Sequence, residues 1–168
     1  MSKAFLRESD LADDSPLPAA ISLLPSGTKN LMTAGGAERL RQELVRLVDV
    51  ERPPLVAQST GDTDAKRELQ GVDQRIRHLR ESLRTAEVVE TPNSSDQVVH
   101  FGSTATVRDA NGEESRFRIV GVDETDVDQG WVSWVSPLAR ALLNARVGTR
   151  VTFATPAGDS TLNVLAVE

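Results

Sequence analysis

Two aspartates beside a short turn are the residues of this chain whose chemistry is easiest to specify. Asp62 and Asp64 follow Gly61 in the string STGDTDAK, and apolar residues with helical spacing begin a few positions later. A carboxylate at the start of a helix accepts hydrogen bonds from the free N–H groups of the first turn and complements the helix dipole. We therefore expect at least one of the two side chains to cap a helix.

Other residue types that often carry chemistry are scarce. The chain has no cysteine and two histidines, His78 and His100. Without cysteine there is no disulfide, no thiolate zinc site and no cysteine nucleophile. Two histidines this far apart do not indicate a metal site, and we expect the free protein to hold no metal.

The composition is that of a soluble globular protein. The 168 residues are 39% apolar and 26% charged, with a net charge of −6 and a pI of about 5.0. Residues 91–168 hold six basic and ten acidic groups, which argues against sequence-specific binding of duplex DNA, since that needs a basic face. We find no signal peptide and no long apolar run, so we expect a cytoplasmic location and no membrane partner.

Apolar residues at spacings of four and three predict a first helix that begins at Thr33, whose hydroxyl can cap its first turn. The apolar seam of this helix consists of Leu40, Leu44 and Leu47. Pro53 and Pro54 follow. They predict a kink or a break, because proline removes a hydrogen-bond donor and clashes with the carbonyl four residues before it.

A second helix is predicted over residues 64–87, with the most regular apolar spacing in the chain. Its seam consists of Leu69, Val72, Ile76, Leu79 and Leu83. A turn at residues 59–63, marked by Gly61, joins the two helices. The pattern predicts an antiparallel helical hairpin, a coiled coil, over residues 31–90. Before it, residues 1–30 are predicted to be a disordered extension, because prolines interrupt any helix and aspartates keep the segment solvated.

Short strands bounded by turn residues predict a second domain over residues 91–168. The candidate strands cover residues 97–101, 104–109, 116–120, 131–135, 150–154 and 162–167. Asn111-Gly112, between the second and third of them, is typical of a β-hairpin turn. The predicted class is α+β: the helical hairpin, followed by an antiparallel sheet with one helix.

That one helix is predicted to open at Ser136-Pro137, as N-cap and first helical residue, and to close at the Val-Gly dipeptide of residues 147–148. Trp131 and Trp134 lie three apart on the preceding predicted strand. Alternation places them on opposite faces. We expect one tryptophan in the core and the other exposed, where it could anchor an interface.

Several motifs in one order resemble the GreA/GreB family of bacterial transcript-cleavage factors, and GreB in particular. The matching strings are LMTAGGAERLRQELVRL, ERP, RELQGVDQRIRHLRESLRTAEVVE, FGSTATV, RIVGVDE, SPLARALLNARVGTRV and PAG. The resemblance implies an FKBP-like fold for residues 91–168, docked on the beta-prime subunit of RNA polymerase at the rim of the secondary channel. Carried over, the docking residues are Ser136, Pro137 and Leu138, with Asp123 and Glu124 as neighbours. An ordinary helix start with core spacing explains the Ser-Pro-Leu string as well.

The tip of the hairpin departs from the family. The resemblance implies that two acidic side chains there help hold a second Mg²⁺ beside the polymerase's own aspartates, so that backtracked RNA is cut. This chain keeps Gly61-Asp62 but lacks the family's Glu-Asn pair and Tyr, and Asp64 is the second carboxylate nearby. Roughly ten residues fewer in the hairpin shorten it by about 7–8 Å. We expect an accessory factor with weak or no cleavage stimulation. The alternatives are an active cleavage stimulator that uses Asp62 and Asp64, or a Rnk-like regulator.

Arg77, Arg80 and Arg84 lie on one stripe of the second helix. In the family, basic residues on the hairpin face RNA or the channel wall, and the resemblance implies that role here. A solvated outer face with charge pairs such as Asp73–Arg77 and Arg80–Glu87 explains the same stripe.

Other classes of function fit the sequence less well. A peptidyl-prolyl isomerase, suggested by an FKBP-like fold, needs an aromatic-lined pocket, and the chain has no tyrosine, four phenylalanines and two tryptophans. The lack of cysteine excludes a zinc-containing channel factor of the DksA type, whereas nothing in the sequence excludes a coiled-coil module for some other partner. We expect no cofactor of the protein's own, with the polymerase's second Mg²⁺ as the metal involved, and RNA polymerase with backtracked RNA as partners.

Overall fold

The computed structural model describes residues 24, 26–92 and 94–168. Most of the predicted disordered extension, residues 1–30, lies outside the described part of the chain. The last residues of that segment turn at Ser26-Gly27 and enter a strand at Asn30, which is buried. No helix in the described ranges is both long and apolar enough to cross a membrane.

A long helical segment follows the first strand. Strand β1 (Asn30–Thr33) is followed by α1 (Ala34–Arg46), a π-helical turn (Leu47–Glu51) and α2 (Arg52–Gln58). Thr33 is the N-cap of α1, and its hydroxyl oxygen accepts a hydrogen bond of 2.9 Å from the Gly36 N–H. The predicted start of the first helix is therefore confirmed.

The predicted break at Pro53 and Pro54 takes the form of the π-helical turn just before them. The N–H of Arg52 donates to the carbonyl of Leu47, five residues earlier rather than four. A π-turn widens the helix by one residue per turn and so accommodates a local conflict without ending the helix. The prolines occupy the first turn of α2, where a missing N–H costs little.

The chain returns through α3 (Thr63–Thr85) and reaches β2 (Ala86–Val89), which pairs in parallel with β1. We call residues 34–85 the arm. Its two sides run in opposite directions, since Arg75 binds Glu43 while the earlier Asp73 binds the later Arg52. The apolar core of the arm and its base consists of Met32, Ala37, Leu40, Leu47, Ile76 and Leu79, with Leu44, Val48, Val72, Leu83 and Ala86 packed against them. Most of the predicted seam residues lie in this core.

The second half of the chain is a five-stranded sheet. Its strands are β3 (Thr104–Arg108), β4 (Glu114–Val120), β5 (Trp131–Ser133), β6 (Arg150–Thr155) and β7 (Gly158–Val167). Their order in the sheet is β5-β4-β3-β7-β6. The β3–β4, β3–β7 and β6–β7 pairs are antiparallel, whereas β4 and β5 are parallel. The prediction of a purely antiparallel sheet was wrong at that one edge, because a long excursion after β4 brings β5 back in the same direction.

Two further predictions for this half need correction. Residues 97–101 do not form a strand; Val98 makes a single bridge to Arg146. The helix that opens at Ser136, α4 (Pro137–Leu142), ends well before residues 147–148. It ends where Asn144 adopts a φ of 66°, the left-handed conformation that asparagine tolerates and that often stops a helix.

The helix α4 packs on one face of the sheet to form the second core. The buried residues are Val99, Ala105, Val107, Ile119, Ala139, Leu142, Leu162 and Val164. The α+β class is confirmed as a mixed helical and sheet protein, with separate cores for the arm and for the sheet.

Candidate functional site

The tip of the arm is built around Asp62, the N-cap of α3. Its Oδ1 accepts hydrogen bonds from the N–H groups of Asp64 at 2.8 Å and Ala65 at 3.3 Å. The prediction that at least one tip aspartate caps a helix is confirmed. The cap uses one carboxylate oxygen and leaves Oδ2 without a bonding partner among the described residues.

Asp64 is exposed in the first turn of α3 and contributes negative charge where the helix dipole is positive. Its carboxylate makes no hydrogen bond or ion pair within the described ranges. Three or more metal-ligating side chains do not come together anywhere in those ranges. The free arm therefore presents two exposed carboxylates at its tip, one of them fixed in orientation by its capping bonds.

The predicted basic stripe on α3 divides into two parts. Arg77 and Arg80 line an open groove of about 360 Å³ beside the π-helical turn, together with Val48, Arg52, Asp73 and Ile76. Arg84 instead donates to Glu81 at 2.9 Å through Nε, a hydrogen bond that lowers the pKa of the Glu81 carboxyl. The expected Asp73–Arg77 pair is not formed, because Asp73 accepts a 2.7 Å hydrogen bond from Arg52 across the arm.

One charge pair ties the two sides of the arm together near the middle. Arg75 on α3 donates to both carboxylate oxygens of Glu43 on α1, at 2.8 and 3.0 Å. These hydrogen bonds hold the pKa of Glu43 below its ordinary value of 4.5 and raise that of Arg75. A bidentate arginine–carboxylate pair of this kind fixes the relative position of two helices.

The Ser136–Pro137–Leu138 segment opens α4 at the surface of the sheet. Ser136 accepts a 3.1 Å hydrogen bond from the Ala139 N–H, as an N-cap should. Leu138 packs against the core of the sheet, and Pro137 is exposed. Of these three predicted docking residues, Pro137 is thus the side chain most available to a partner, while Ser136 and Leu138 hold the segment in place.

The other two predicted docking residues face inward, which corrects the expectation that their side chains lie on a docking surface. Glu124, at the end of a 3-10 turn (Val122–Glu124), is 4% exposed and bonds to Thr33 at the base of the arm. Asp123 bonds to His78 and Ser82 on α3. Both carboxylates join the sheet to the arm.

The two tryptophans have different surroundings, but strand alternation does not explain the difference, because β5 ends at Ser133 and Trp134 lies in the turn that follows. Both side chains are half-buried, so the expectation that one of them is exposed was wrong. Trp134 packs against the core of the sheet, and its indole nitrogen is buried with no partner among the described residues. Trp131 lies on β5 in contact with two arginines, with the guanidinium carbon of Arg39 at 4.3 Å and that of Arg118 at 5.3 Å from the ring centroid. Such cation–π contacts stabilise the ring where it is partly open to water, and Arg39 comes from the arm.

Comparison with known proteins assigns the chain to a family. The family model "Transcription elongation factor, GreA/GreB, C-term" matches residues 93–168. The chain is 40% identical to transcription elongation factor GreB of Neisseria meningitidis serogroup A over 155 residues, covering 84% of this chain and 94% of that protein. It is 38% identical to transcription elongation factor GreA of Caulobacter sp. strain K31 over 150 residues, covering 82% and 96%.

A solved structure is also similar to this chain. GreA factor homolog 1 of Thermus thermophilus is 28% identical and covers 84% of this chain and 99% of its own, with a TM-score of 0.40. The chain belongs to the GreA/GreB family of transcription elongation factors.

Proposed function

We propose that this protein binds RNA polymerase at the secondary channel and regulates elongation there, with weak or no stimulation of transcript cleavage. In this proposal it is an accessory factor that acts on the polymerase active site and is not itself an enzyme. Family membership supports the partner. The geometry of the tip, where Asp62 caps α3, is the observation that supports a weak effect on cleavage.

The docking surface in this proposal is the start of α4. Pro137 is exposed and rigid, and it is presented by a capped helix start whose next residue, Leu138, is packed into the core. A side chain held by packing loses little conformational entropy when a partner binds. The partner surface is the rim of the channel on the beta-prime subunit, as the family resemblance implies.

The tip offers few carboxylate ligands for the second Mg²⁺ that transcript cleavage requires, and the shorter arm places them farther from that metal. Only Asp62 and Asp64 carry carboxylates there, and Asp62 already commits one oxygen to the cap of α3. Mg²⁺ binds oxygen ligands at about 2.0–2.1 Å in a strict octahedral geometry. An arm shorter by about 7–8 Å than the family's cannot place a carboxylate at that distance unless the whole factor sits deeper in the channel.

An active cleavage stimulator is the second candidate, and a specific observation favours it. The capping bonds leave Oδ2 of Asp62 unused among the described residues, and Asp64 is exposed beside it. Those oxygens would be the ligands offered to the polymerase's second Mg²⁺. Arg77 and Arg80 would then face backtracked RNA or the channel wall. A Rnk-like regulator would share the docking surface but not the tip chemistry.

Competition with an authentic Gre factor for purified RNA polymerase tests the docking assignment. We expect Pro137→Arg to weaken binding about tenfold or more, the cost of placing a bulky charge at the centre of an interface. Pro156→Arg is the matched control, since Pro156 is an exposed proline in the turn between β6 and β7. If Pro137→Arg competes as well as the unaltered chain, the docking surface lies elsewhere.

A further inference from the structure

The 3-10 turn after β4 touches both helices at the base of the arm. Glu124 reaches the start of α1, and Asp123 reaches α3 near its end. Adjacent carboxylates on one turn thus contact two different helices of the arm. Contacts at two separated points restrict rotation as well as translation of one body against the other.

The Glu124 carboxylate is fully engaged with the N-terminus of α1 and its own turn. Its Oε2 accepts hydrogen bonds from the N–H of Thr33 at 2.8 Å and of Gly121 at 2.9 Å, and its Oε1 accepts from the Thr33 hydroxyl. The side chain is 0% exposed, with Arg39 Nη2 3.7 Å from Oε1. Removing any one of these hydrogen-bond donors would destabilise the protein, because the buried carboxylate would be left incompletely satisfied.

The Asp123 carboxylate holds the other helix. His78 Nε2 lies 2.6 Å from Oδ1, and the Ser82 hydroxyl donates to Oδ2. Both partners are on the same side of α3, four residues apart, which is about one helical turn. The Asp123 side chain is 15% exposed, so water competes weakly for these bonds.

Two glycines allow the close approach that these bonds need. A Cβ atom added at Gly36 would lie 1.8 Å from Oε1 of Glu124. A Cβ at Gly121 would lie 2.4 Å from the carbonyl oxygen of Leu31, on β1. Neither distance is possible between non-bonded atoms. A side chain at Gly36 would displace the Glu124 carboxylate, and a side chain at Gly121 would push the turn away from the backbone of β1.

We propose that Asp123 and Glu124 form a two-point clamp that sets the angle of the arm relative to the sheet, and so sets where the tip points when the sheet is docked. They are positioning residues that do not themselves touch the polymerase. The effect of the clamp on transcription rests on the proposed function, whereas its effect on the arm angle does not. Arg39 supports the clamp, because it lies against both Glu124 and Trp131 of β5.

The absence of cysteine allows the arm angle to be measured directly. Cysteines introduced for Thr60 at the tip and Ala157 in the β6–β7 turn, both exposed positions, accept spin labels without background. The distance distribution between the labels reports the angle. We expect a single narrow peak in the unaltered background and loss of that peak, by broadening or by a second maximum, in Glu124→Ala.

Three further variants separate the clamp from a general loss of structure. Glu124→Gln should retain most of the narrow peak, because its amide oxygen can still accept from the Thr33 and Gly121 N–H groups. Asp123→Ala removes only the contacts to α3 and should broaden the distribution even if Glu124→Ala fails to fold. Glu114→Ala, which removes an exposed carboxylate of the sheet, should leave it unchanged. Circular dichroism must show the same helical content in every variant compared.

The clamp is refuted if folded Asp123→Ala and Glu124→Ala both keep the single narrow peak. In a polymerase assay, the clamp predicts that Glu124→Ala reduces the maximal effect on transcription while the concentration for half-maximal effect stays unchanged. A general weakening of the fold would shift both. If the chain fails to bind polymerase at all, the proposed function fails, and the label distances still decide the clamp.

Discussion

The capping bond of Asp62 allows helix stability and metal chemistry at the tip to be separated by two substitutions at one position. Asp62→Ala removes both the cap and the carboxylate. Asp62→Asn removes the charge but keeps a side-chain oxygen, and asparagine is about as good an N-cap as aspartate. The two variants therefore differ mainly in the hydrogen bonds to the Asp64 and Ala65 N–H groups.

The expected loss of stability in Asp62→Ala follows from those two hydrogen bonds. One is short, at 2.8 Å, and the other is longer, at 3.3 Å, so the cap is of ordinary strength. Loss of such a cap costs about 1 kcal/mol, within a range of roughly 0.5–2 kcal/mol. For a chain of this size, about 1 kcal/mol corresponds to a fall in Tm of roughly 2–4 °C. We expect that fall in Asp62→Ala and little change in Asp62→Asn.

Thermal unfolding followed by circular dichroism at a helical wavelength measures the first effect, and RNA cleavage in a backtracked complex measures the second. If the carboxylate acts mainly as a cap, Asp62→Asn should match the unaltered protein in both assays. If the carboxylate is a metal ligand, Asp62→Asn should retain its Tm and lose cleavage. Equal loss of stability in both variants, or no loss in either, would refute the capping argument.

Two further predictions concern the arm. Leu79→Ala should lower the free energy of unfolding, measured by denaturant titration, by about 2–5 kcal/mol, because it leaves a cavity at a completely buried site between the helices. The control is Val45→Ala, at an exposed position of α1, which should change the free energy of unfolding by less than about 0.5 kcal/mol. Similar values for the two variants would contradict the core assigned to the arm. The Arg75 hydrogen bonds lower the pKa of Glu43 in the folded state, so their stabilisation is present above the ordinary pKa of 4.5 and is lost as pH falls through the depressed value. The difference in free energy of unfolding between the unaltered protein and Glu43→Gln should therefore be constant near neutral pH and become smaller in acid. A difference that becomes larger in acid would contradict a stabilising Arg75–Glu43 pair.

The elements of the arm could be predicted because their signals are local. Each of these signals depends only on residues close by in the chain: the leucine spacing, the caps at Thr33 and Asp62, and the turn at Gly61. The two prolines predict an irregularity in the helix, because proline cannot make the regular α-helical hydrogen bond. They do not determine whether the irregularity is a kink, a break or a π-helical turn.

The sheet was less predictable where pairing is long-range. The parallel β4–β5 contact depends on where the excursion through residues 121–130 returns, and β1–β2 joins segments more than fifty residues apart that have no alternating pattern. The end of α4 at Asn144 was missed because a glycine at position 148 is the more usual stop signal.

The junction between arm and sheet could not be predicted from the sequence. Glutamate is almost never fully buried unless it is paired. The sequence alone therefore predicts an exposed Glu124, because its partner Thr33 is distant in the chain. A weak signal did exist. Gly36 lies in the first turn of a helix, where glycine is unfavourable, and the Cβ collision with Glu124 explains why no side chain stands there.

Transcript cleavage in a purified, backtracked elongation complex, with binding confirmed in parallel by competition with an authentic Gre factor, tests the central claim most directly. The account predicts that this protein occupies the polymerase and leaves cleavage unchanged, slightly raised or inhibited. Rapid cleavage that depends on binding and is abolished by Asp62→Asn would contradict it, and would mean that the short arm still delivers a carboxylate to the metal.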